Sequence, residues 1–145
     1  MGIVAVPLIG FYCASKWAVE ALHESLAQEV KDFGIKVTLL EPGTYATDFA
    51  SPPSRKMAAG LDVYGGLRKQ IAGRLTNEER GDPNATAEAI LMIVDAENPP
   101  MRLALGSWLL PSARAAYAER LATWEAWAAI SNAAQGNPST DMPRS

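Results

Sequence analysis

Several features of specialised proteins are scarce in this 145-residue sequence. It has one cysteine and one histidine, so it can form neither an intrachain disulfide nor a zinc site of the usual kind, and we expect no metal. No apolar run reaches the ~20 residues that a membrane-spanning helix needs. The 13 basic and 16 acidic side chains form no run of like charge, so we expect neither a nucleic acid nor a membrane as partner. The N-terminus has no basic flank before its apolar run, which argues against a signal peptide and favours a cytoplasmic location.

The composition that remains is that of an ordinary domain, with 48% hydrophobic and 20% charged residues. Apolar side chains recur at steps of three or four from Tyr12 to Phe33, which predicts an amphipathic helix of about six turns. Gly34 follows, where a left-handed helix cap favours glycine. The pattern then changes to a short apolar run, Val37–Glu41, which is typical of a strand inside a parallel sheet. Helix, tight loop and buried strand together predict an α/β fold.

The segment 44–82 differs in composition, because glycine and proline interrupt it repeatedly. This composition predicts a long excursion, that is, an insertion that leaves the sheet after the strand and returns later. Within it, Leu67, Ile71 and Leu75 stand four residues apart and predict one short helix with a narrow apolar stripe. Loops of this length in compact domains are commonly functional.

Further elements are predicted after this excursion. Asp82 followed by proline predicts a helix start. The residues Arg102–Leu105 before a glycine predict a short strand, and the apolar period from about 112 to 132 predicts a final helix. We expect residues 136–145 to form a disordered tail, since they contain two prolines and few apolar side chains.

One pair of residues suggests chemistry. Tyr12 and Lys16 lie four apart near the start of the first predicted helix, so both side chains emerge on one face. A tyrosine hydroxyl has an unperturbed pKa of ~10, and a nearby ammonium favours its phenolate form. Such a pair can protonate a carbonyl oxygen or remove the proton of an alcohol. Chance gives roughly 0.14 such pairs in this composition, so a tyrosine packed on a lysine stem is the plain alternative.

The neighbouring residues extend this pattern. In order and spacing, residues 2–49 closely resemble the short-chain dehydrogenase/reductase family. In that family a Tyr-x-x-x-Lys pair opens a long helix, the next strand ends in Pro-Gly, and a threonine four residues past the glycine lies beside the nicotinamide cofactor. A looser likeness continues through residues 98–103 into the last helix. The positions that match residue by residue are Tyr12, Lys16, Pro42, Gly43 and Thr47.

The resemblance implies a fold. It is the C-terminal part of a Rossmann-like doubly wound parallel sheet, lacking the N-terminal nucleotide-binding strands. We find no strand that leads through a glycine-rich turn into a helix, and the family's catalytic serine would fall just ahead of Met1. We therefore expect residues 1–135 to form the C-terminal half of one domain, with 44–82 as its substrate-binding lid. Such a chain should expose apolar surface by itself and be marginally stable or prone to aggregate.

The resemblance also implies an activity, that of an NAD(P)-dependent oxidoreductase that interconverts an alcohol and a carbonyl compound by hydride transfer. Tyr12 would be the acid/base, and Lys16 would lower its pKa and bind the nicotinamide ribose. Pro42, Gly43 and Thr47 would shape and contact the nicotinamide half of the cofactor, which is either NAD or NADP. We expect the chain alone to be weakly active or inactive.

A second hypothesis comes from another class of protein. Through helix 12–33 the chain could be a non-catalytic interaction module that pairs with a full-length relative, and the resemblance implies homo-oligomers through the same helix. His23 has no metal-binding neighbours and is expected to be solvated or at an interface. Cys13 is expected to be a small buried apolar side chain. Packing roles are expected for three tryptophans: Trp17, Trp124 and Trp127.

Overall fold

The chain alternates helices with two short strands. The structure, a computed structural model, describes residues 2–51, 60–76 and 80–136. In these residues the helices and strands are, in chain order, α1 (Gly10–Glu29), β1 (Leu39–Pro42), α2 (Gly65–Thr76), α3 (Thr86–Asp95), β2 (Arg102–Leu105), α4 (Leu109–Ala126) and α5 (Ala128–Ala134).

Strands β1 and β2 pair in parallel. Leu39 lies opposite Arg102 and Pro42 opposite Leu105. Parallel neighbours require a long crossover connection, and here the residues that include α2 and α3 provide it. The predicted α/β class with a parallel sheet is confirmed.

Helix α1 begins earlier and ends earlier than its apolar period predicts. It starts at Gly10 and ends at Glu29 instead of continuing to Phe33, with the Val30 amide making the last α-helical hydrogen bond, to the Leu26 carbonyl. A 3-10 turn, Lys31–Phe33, follows, as is common where a helix tightens at its end. Gly34 then takes the predicted left-handed conformation, with a φ of 72°.

Strand β1 is shifted from its predicted position by two residues at its start. Pairing begins at Leu39, whose amide donates to the carbonyl of Met101 at 2.8 Å, and not at Val37. Leu39 is buried, whereas Leu40 is exposed. Successive strand side chains face opposite sides, so the described residues cover one face of the strand and leave the other accessible.

The excursion 44–82 is closed at its base. The amide of Ala46 donates to the carbonyl of Gly81, and the amide of Gly81 donates to the carbonyl of Thr44, each at 2.9 Å. The predicted short helix is present as α2, and Leu67 in it is half-buried. Other parts of the predicted lid fall outside the described residues.

Asp82 is a cap as the sequence predicts, but of the 3-10 turn Pro83–Ala85 that precedes α3. The Asp82 carboxylate accepts a hydrogen bond from the amide of Asn84 at 2.9 Å. Pro83 opens a 3-10 turn that leads directly into α3, where its missing N–H leaves no helical bond unmade.

The predicted final helix, 112–132, is in fact two helices. Helix α4 begins earlier, at Leu109, and the chain departs from helical geometry at Trp127, with φ −105° and ψ 7°, before α5. Apolar periodicity runs through this break because side-chain spacing changes little across one non-helical residue. The predicted tail, 136–145, lies almost wholly outside the described residues.

The buried core is small. Within the described residues four apolar side chains are buried, one each from α1, β1, β2 and α4: Cys13, Leu39, Leu105 and Leu109. The predicted inward face of α1 is exposed, since Leu22 keeps 67% of its surface accessible. The expected packing roles of Trp124 and Trp127 are wrong here, because both are exposed. Apolar spacing indicates which face of a helix can be buried. The exposed side chains on α1 and α4 show that this face is not always buried.

Candidate active site

Helix α1 presents Tyr12 and Lys16 on one face. The Lys16 Nζ lies 5.5 Å from the centroid of the Tyr12 ring. Tyr12 is half-buried and Lys16 is exposed. Between them in the helical turn, Cys13 is buried and thereby fixes the rotation of the helix. A cationic group and a phenol thus meet at the edge of the core, as their spacing predicts.

Phe49 contacts Tyr12 from a different segment. The two ring centroids are 5.7 Å apart and the rings are tilted by 51°, a geometry that aromatic pairs favour. Phe49 lies in the 3-10 turn Asp48–Ala50, and Thr47 caps that turn by accepting a hydrogen bond from the Phe49 amide at 3.4 Å. The segment after β1 therefore reaches the start of α1. The sequence analysis did not identify Phe49. It could have been found as the aromatic residue two positions after Thr47.

The Pro-Gly corner ends the sheet. Pro42 lies opposite Leu105 in the parallel register, and the Gly43 amide donates to the Leu105 carbonyl at 2.9 Å. The corner is thus anchored to β2. It stays a prediction that a nicotinamide contacts Pro42, Gly43 and Thr47.

Behind this corner, Tyr45 packs against glycine backbone. A Cβ added to Gly81 would lie 2.9 Å from the Tyr45 Cε1 atom. A Cβ added to Gly106 would lie 3.6 Å from the Tyr45 hydroxyl oxygen. Tyr45 therefore fills the space between the base of the excursion and the residue that follows β2, a role that sequence reasoning did not assign.

The donor groups at the Tyr12 face suit a ligand rich in hydroxyl groups. Within the described residues, neither the Tyr12 hydroxyl nor the Lys16 ammonium makes a hydrogen bond or an ion pair with the protein. Both are therefore available to the ribose hydroxyls of a nicotinamide cofactor, and these residues fit that group. In the same ranges no cluster of three or more metal-binding side chains is found, and no helix is long and apolar enough to cross a membrane.

An ion-pair cluster lies one turn further along α1. Arg102 of β2 contacts Glu20 at 3.0 Å, Glu24 at 2.9 Å and Glu41 at 3.5 Å. Desolvation by burial raises the pKa of Glu41, the Glu20 carboxylate raises it further, and Arg102 partly offsets both. The hydrogen bond to Glu24 is the main cause that raises the pKa of Arg102. The cluster joins α1 to both strands, and sequence reasoning missed it because its members are distant in the chain.

Comparisons with known proteins place the chain among short-chain dehydrogenases. Residues 1–58 match the family described as short chain dehydrogenase. A 3-ketodihydrosphingosine reductase of Bacteroides thetaiotaomicron is 37% identical over 72% of this chain and 40% of its own length. An oxidoreductase of Botryotinia fuckeliana is 34% identical over 72% of this chain and 39% of its own length.

A solved structure extends the similarity. A short-chain dehydrogenase from Streptomyces avermitilis superimposes with a TM-score of 0.76 at 31% identity, covering 92% of this chain and 49% of the other. The chain therefore spans about two fifths of the length of the curated relatives and about half of the solved one. Sequence and fold agree, and the chain belongs to the short-chain dehydrogenase/reductase family, whose relatives here are oxidoreductases.

Proposed function

We propose that this chain carries the proton-transfer and nicotinamide-binding part of an NAD(P)-dependent oxidoreductase, which interconverts an alcohol and a carbonyl compound. The observation that carries the proposal is the Lys16 Nζ at 5.5 Å from the Tyr12 ring, on one face of α1. Family membership supplies the reaction class. The cofactor is NAD or NADP, since the residues that distinguish them lie in the family's nucleotide-binding strands.

In this proposal the bound cofactor supplies or accepts the hydride. The Tyr12 hydroxyl donates its proton to the carbonyl oxygen, or as phenolate takes the proton of the alcohol. The Lys16 ammonium binds the ribose hydroxyls through its N–H donors. Phe49 covers one side of the Tyr12 ring and so limits the directions from which a substrate reaches the hydroxyl.

The cofactor part of the proposal is tested with nicotinamide mononucleotide, which contains only the half of the cofactor that these residues would hold. Saturation-transfer NMR on the chain should show transfer to the nicotinamide protons. Lys16→Met should weaken it severalfold, because a ribose donor is lost. Lys69→Met, on exposed helix α2, is the matched control and should leave it unchanged. Equal saturation transfer with both variants would show that Lys16 does not bind the nicotinamide ribose.

The reaction is tested by turnover. The chain is assayed with NAD(H) and NADP(H) against a panel of alcohols and carbonyls, alone and with the N-terminal half of the Bacteroides relative supplied as a second polypeptide. We expect little activity alone and more with the supplied half. Tyr12→Phe should lower that activity by about 10²–10⁴-fold. Tyr117→Phe removes a hydroxyl from α4 and should leave the activity unchanged. An equal loss of activity in both variants would contradict the assignment of Tyr12 as the acid/base.

A second candidate function is supported by the surface of α1. Val19, Leu22 and Leu26 share one face of α1 and keep 39%, 67% and 41% of their surface exposed. An apolar helix face of this kind is favourable to cover. The alternative proposal is a non-catalytic module that pairs through α1 with a second copy or a full-length relative.

Light scattering on the chain, with and without the full-length Bacteroides relative, separates the two functions. A mixed oligomer that Leu22→Lys dissociates, and that Gln28→Lys leaves intact, would support pairing through the apolar face. The two variants add the same charge to the same helix, so the comparison isolates the apolar contact. A monomer at all concentrations would contradict this alternative and leave the enzymatic proposal untouched.

A further inference from the structure

Glu41 is a buried acid with an unmet hydrogen-bonding requirement. Its side chain is 9% exposed, and its Oε1 atom is buried without a hydrogen-bond partner in the described residues. Buried polar atoms are nearly always hydrogen-bonded, because an unpaired one costs about 1–3 kcal/mol and more when it is charged. The reaction proposed above gives Glu41 no role. It stands directly before the Pro-Gly corner.

Glu41 faces charges of both signs. Helix α1 contributes Glu20, strand β2 contributes Arg102, and the amino terminus adds a weaker positive influence. Glu24 contacts the other end of the same guanidinium. One guanidinium therefore serves three carboxylates, which leaves the cluster with an excess of two negative charges when all are ionised. Glu24 is largely exposed, so water screens it, but Glu20 is only 17% exposed.

Glu20 and Glu41 compete for one donor. The Arg102 Nε lies 3.0 Å from Glu20 and 3.5 Å from Glu41. A guanidinium Nε carries a single N–H, and here the shorter contact to Glu20 uses it. Both carboxylates therefore approach the same nitrogen, and both the charge of Glu20 and a side-chain hydrogen bond to it contribute to the raised pKa of Glu41.

Two carboxylates that share a site do not both stay ionised readily. A proton on one of them removes a negative charge and provides an O–H donor for the other, which meets the missing hydrogen bond at the buried pair. Glu41 is the more buried of the two and loses more hydration on ionising, so the proton resides mainly there.

We propose that Glu41 and Glu20 share one proton across the contact between α1 and β1. This shared proton, which we call the clasp, stabilises the packing of the helix against the strand. The clasp goes beyond the proposed function, since it involves neither cofactor nor substrate. It would act on the same helix that bears Tyr12 and on the strand that leads into Gly43. Release of the proton would loosen the contact between them.

The sign of the pH dependence follows from linkage. Folding raises the pKa of Glu41 above the ordinary value of 4.5, chiefly by desolvation. The folded chain therefore binds this proton more tightly than the unfolded chain does. The stabilisation from the clasp is complete below pH 4.5 and is lost as the pH rises through the raised value.

The test compares urea unfolding of the whole chain and two variants from pH 4 to pH 8. Glu41→Gln keeps the shape and imitates the protonated acid. Glu24→Gln removes one charge from the exposed partner of the same Arg102 and is the matched control. We expect the folded-to-unfolded ratio of Glu41→Gln, relative to the parent chain, to increase with pH above 4.5. The increase should reach about tenfold for each unit by which folding raises the pKa. Glu24→Gln should show no such increase.

A direct titration keeps the proposal testable if unfolding is not cooperative. In a chain labelled with ¹³C at the glutamate carboxyls, the resonance that disappears in Glu41→Gln should titrate above pH 4.5, and Glu20→Gln should lower its midpoint. The proposal is wrong if the Glu41 carboxyl titrates at or below pH 4.5. It is also wrong if the stability of Glu41→Gln changes with pH in the same way as that of Glu24→Gln. Neither measurement uses cofactor binding or activity, so both remain informative if the proposed oxidoreductase function fails.

Discussion

At the scale of single residues, Tyr12 is approached from two sides. Lys16 reaches it along the helix, and Phe49 reaches it from the turn after β1. Neither contact is strong by itself, since exposed cation–π and aromatic pairs contribute about 0.5–1.5 kcal/mol each. Their consequence is orientation, because a ring held from two sides presents its hydroxyl in a restricted direction.

Gly81 provides a test at this scale. An added Cβ would lie 2.9 Å from Tyr45, so Gly81→Ala must displace that ring or the backbone beside it. We expect a local loss of about 1–3 kcal/mol, the usual cost of overpacking. Hydrogen exchange of the Ala46 amide, which donates to Gly81, should accelerate about tenfold for each 1.4 kcal/mol.

Gly73→Ala is the control for this change. Gly73 lies inside α2, where an added Cβ meets no described atom within 4 Å. Alanine in a helix interior is favoured over glycine by about 0.5–1 kcal/mol, so this variant should be neutral or stabilising. Unchanged exchange at Ala46 in Gly81→Ala would show that Tyr45 does not depend on the glycine.

At the scale of elements, helices α1 and α4 are joined by one side chain. The Arg120 guanidinium lies 4.9 Å from the Trp17 ring and 5.3 Å from the Tyr117 ring. It also donates to the Ile3 carbonyl at 3.1 Å. Trp17 directly follows Lys16, so this contact helps to fix the helix turn that carries the proposed acid/base pair.

Arg120→Ala tests this connection. It removes two cation–π contacts and one hydrogen bond, and we expect a loss of about 1–3 kcal/mol. Arg114→Ala on the same helix removes an exposed arginine and should change stability by less than about 0.5 kcal/mol. Thermal unfolding followed by tryptophan fluorescence measures both. Equal effects would mean that the link between α1 and α4 does not depend on Arg120.

At the scale of the whole molecule, the described residues leave many large apolar side chains exposed. Phe33 keeps 77% of its surface accessible and Leu22 keeps 67%. The expected exposure of apolar surface is present, and with it the driving force for association.

Exposed apolar surface in the folded chain lowers the expected steepness of its urea unfolding. The urea m-value scales with the area that unfolding exposes, and side chains that are already accessible in the folded chain contribute little to it. We expect a value toward the lower end of the ~1–3 kcal/mol/M that is usual for small proteins. Equilibrium urea titration at low protein concentration measures it. A steep, cooperative transition in a monomer would contradict the expectation.

Local signals in the sequence determined much of the fold. Gly34 and Asp82 were predicted as caps, and each caps a 3-10 turn next to a helix, because caps depend on residues within a few positions. The strand Arg102–Leu105 was predicted with the bounds that it has. The spacing of Tyr12 and Lys16 was sufficient to predict that they share a helix face, because four residues make about one turn.

Only the tertiary structure decided which distant residues meet. Phe49 reaches Tyr12, and Arg102 joins Glu20 to Glu41, through a chain path that no local pattern encodes. Burial was also decided at this level, since an apolar period shows which face of a helix can be covered but not what covers it. The physical reason is that caps and turns are short-range, whereas burial and ion pairing depend on every element that approaches a residue.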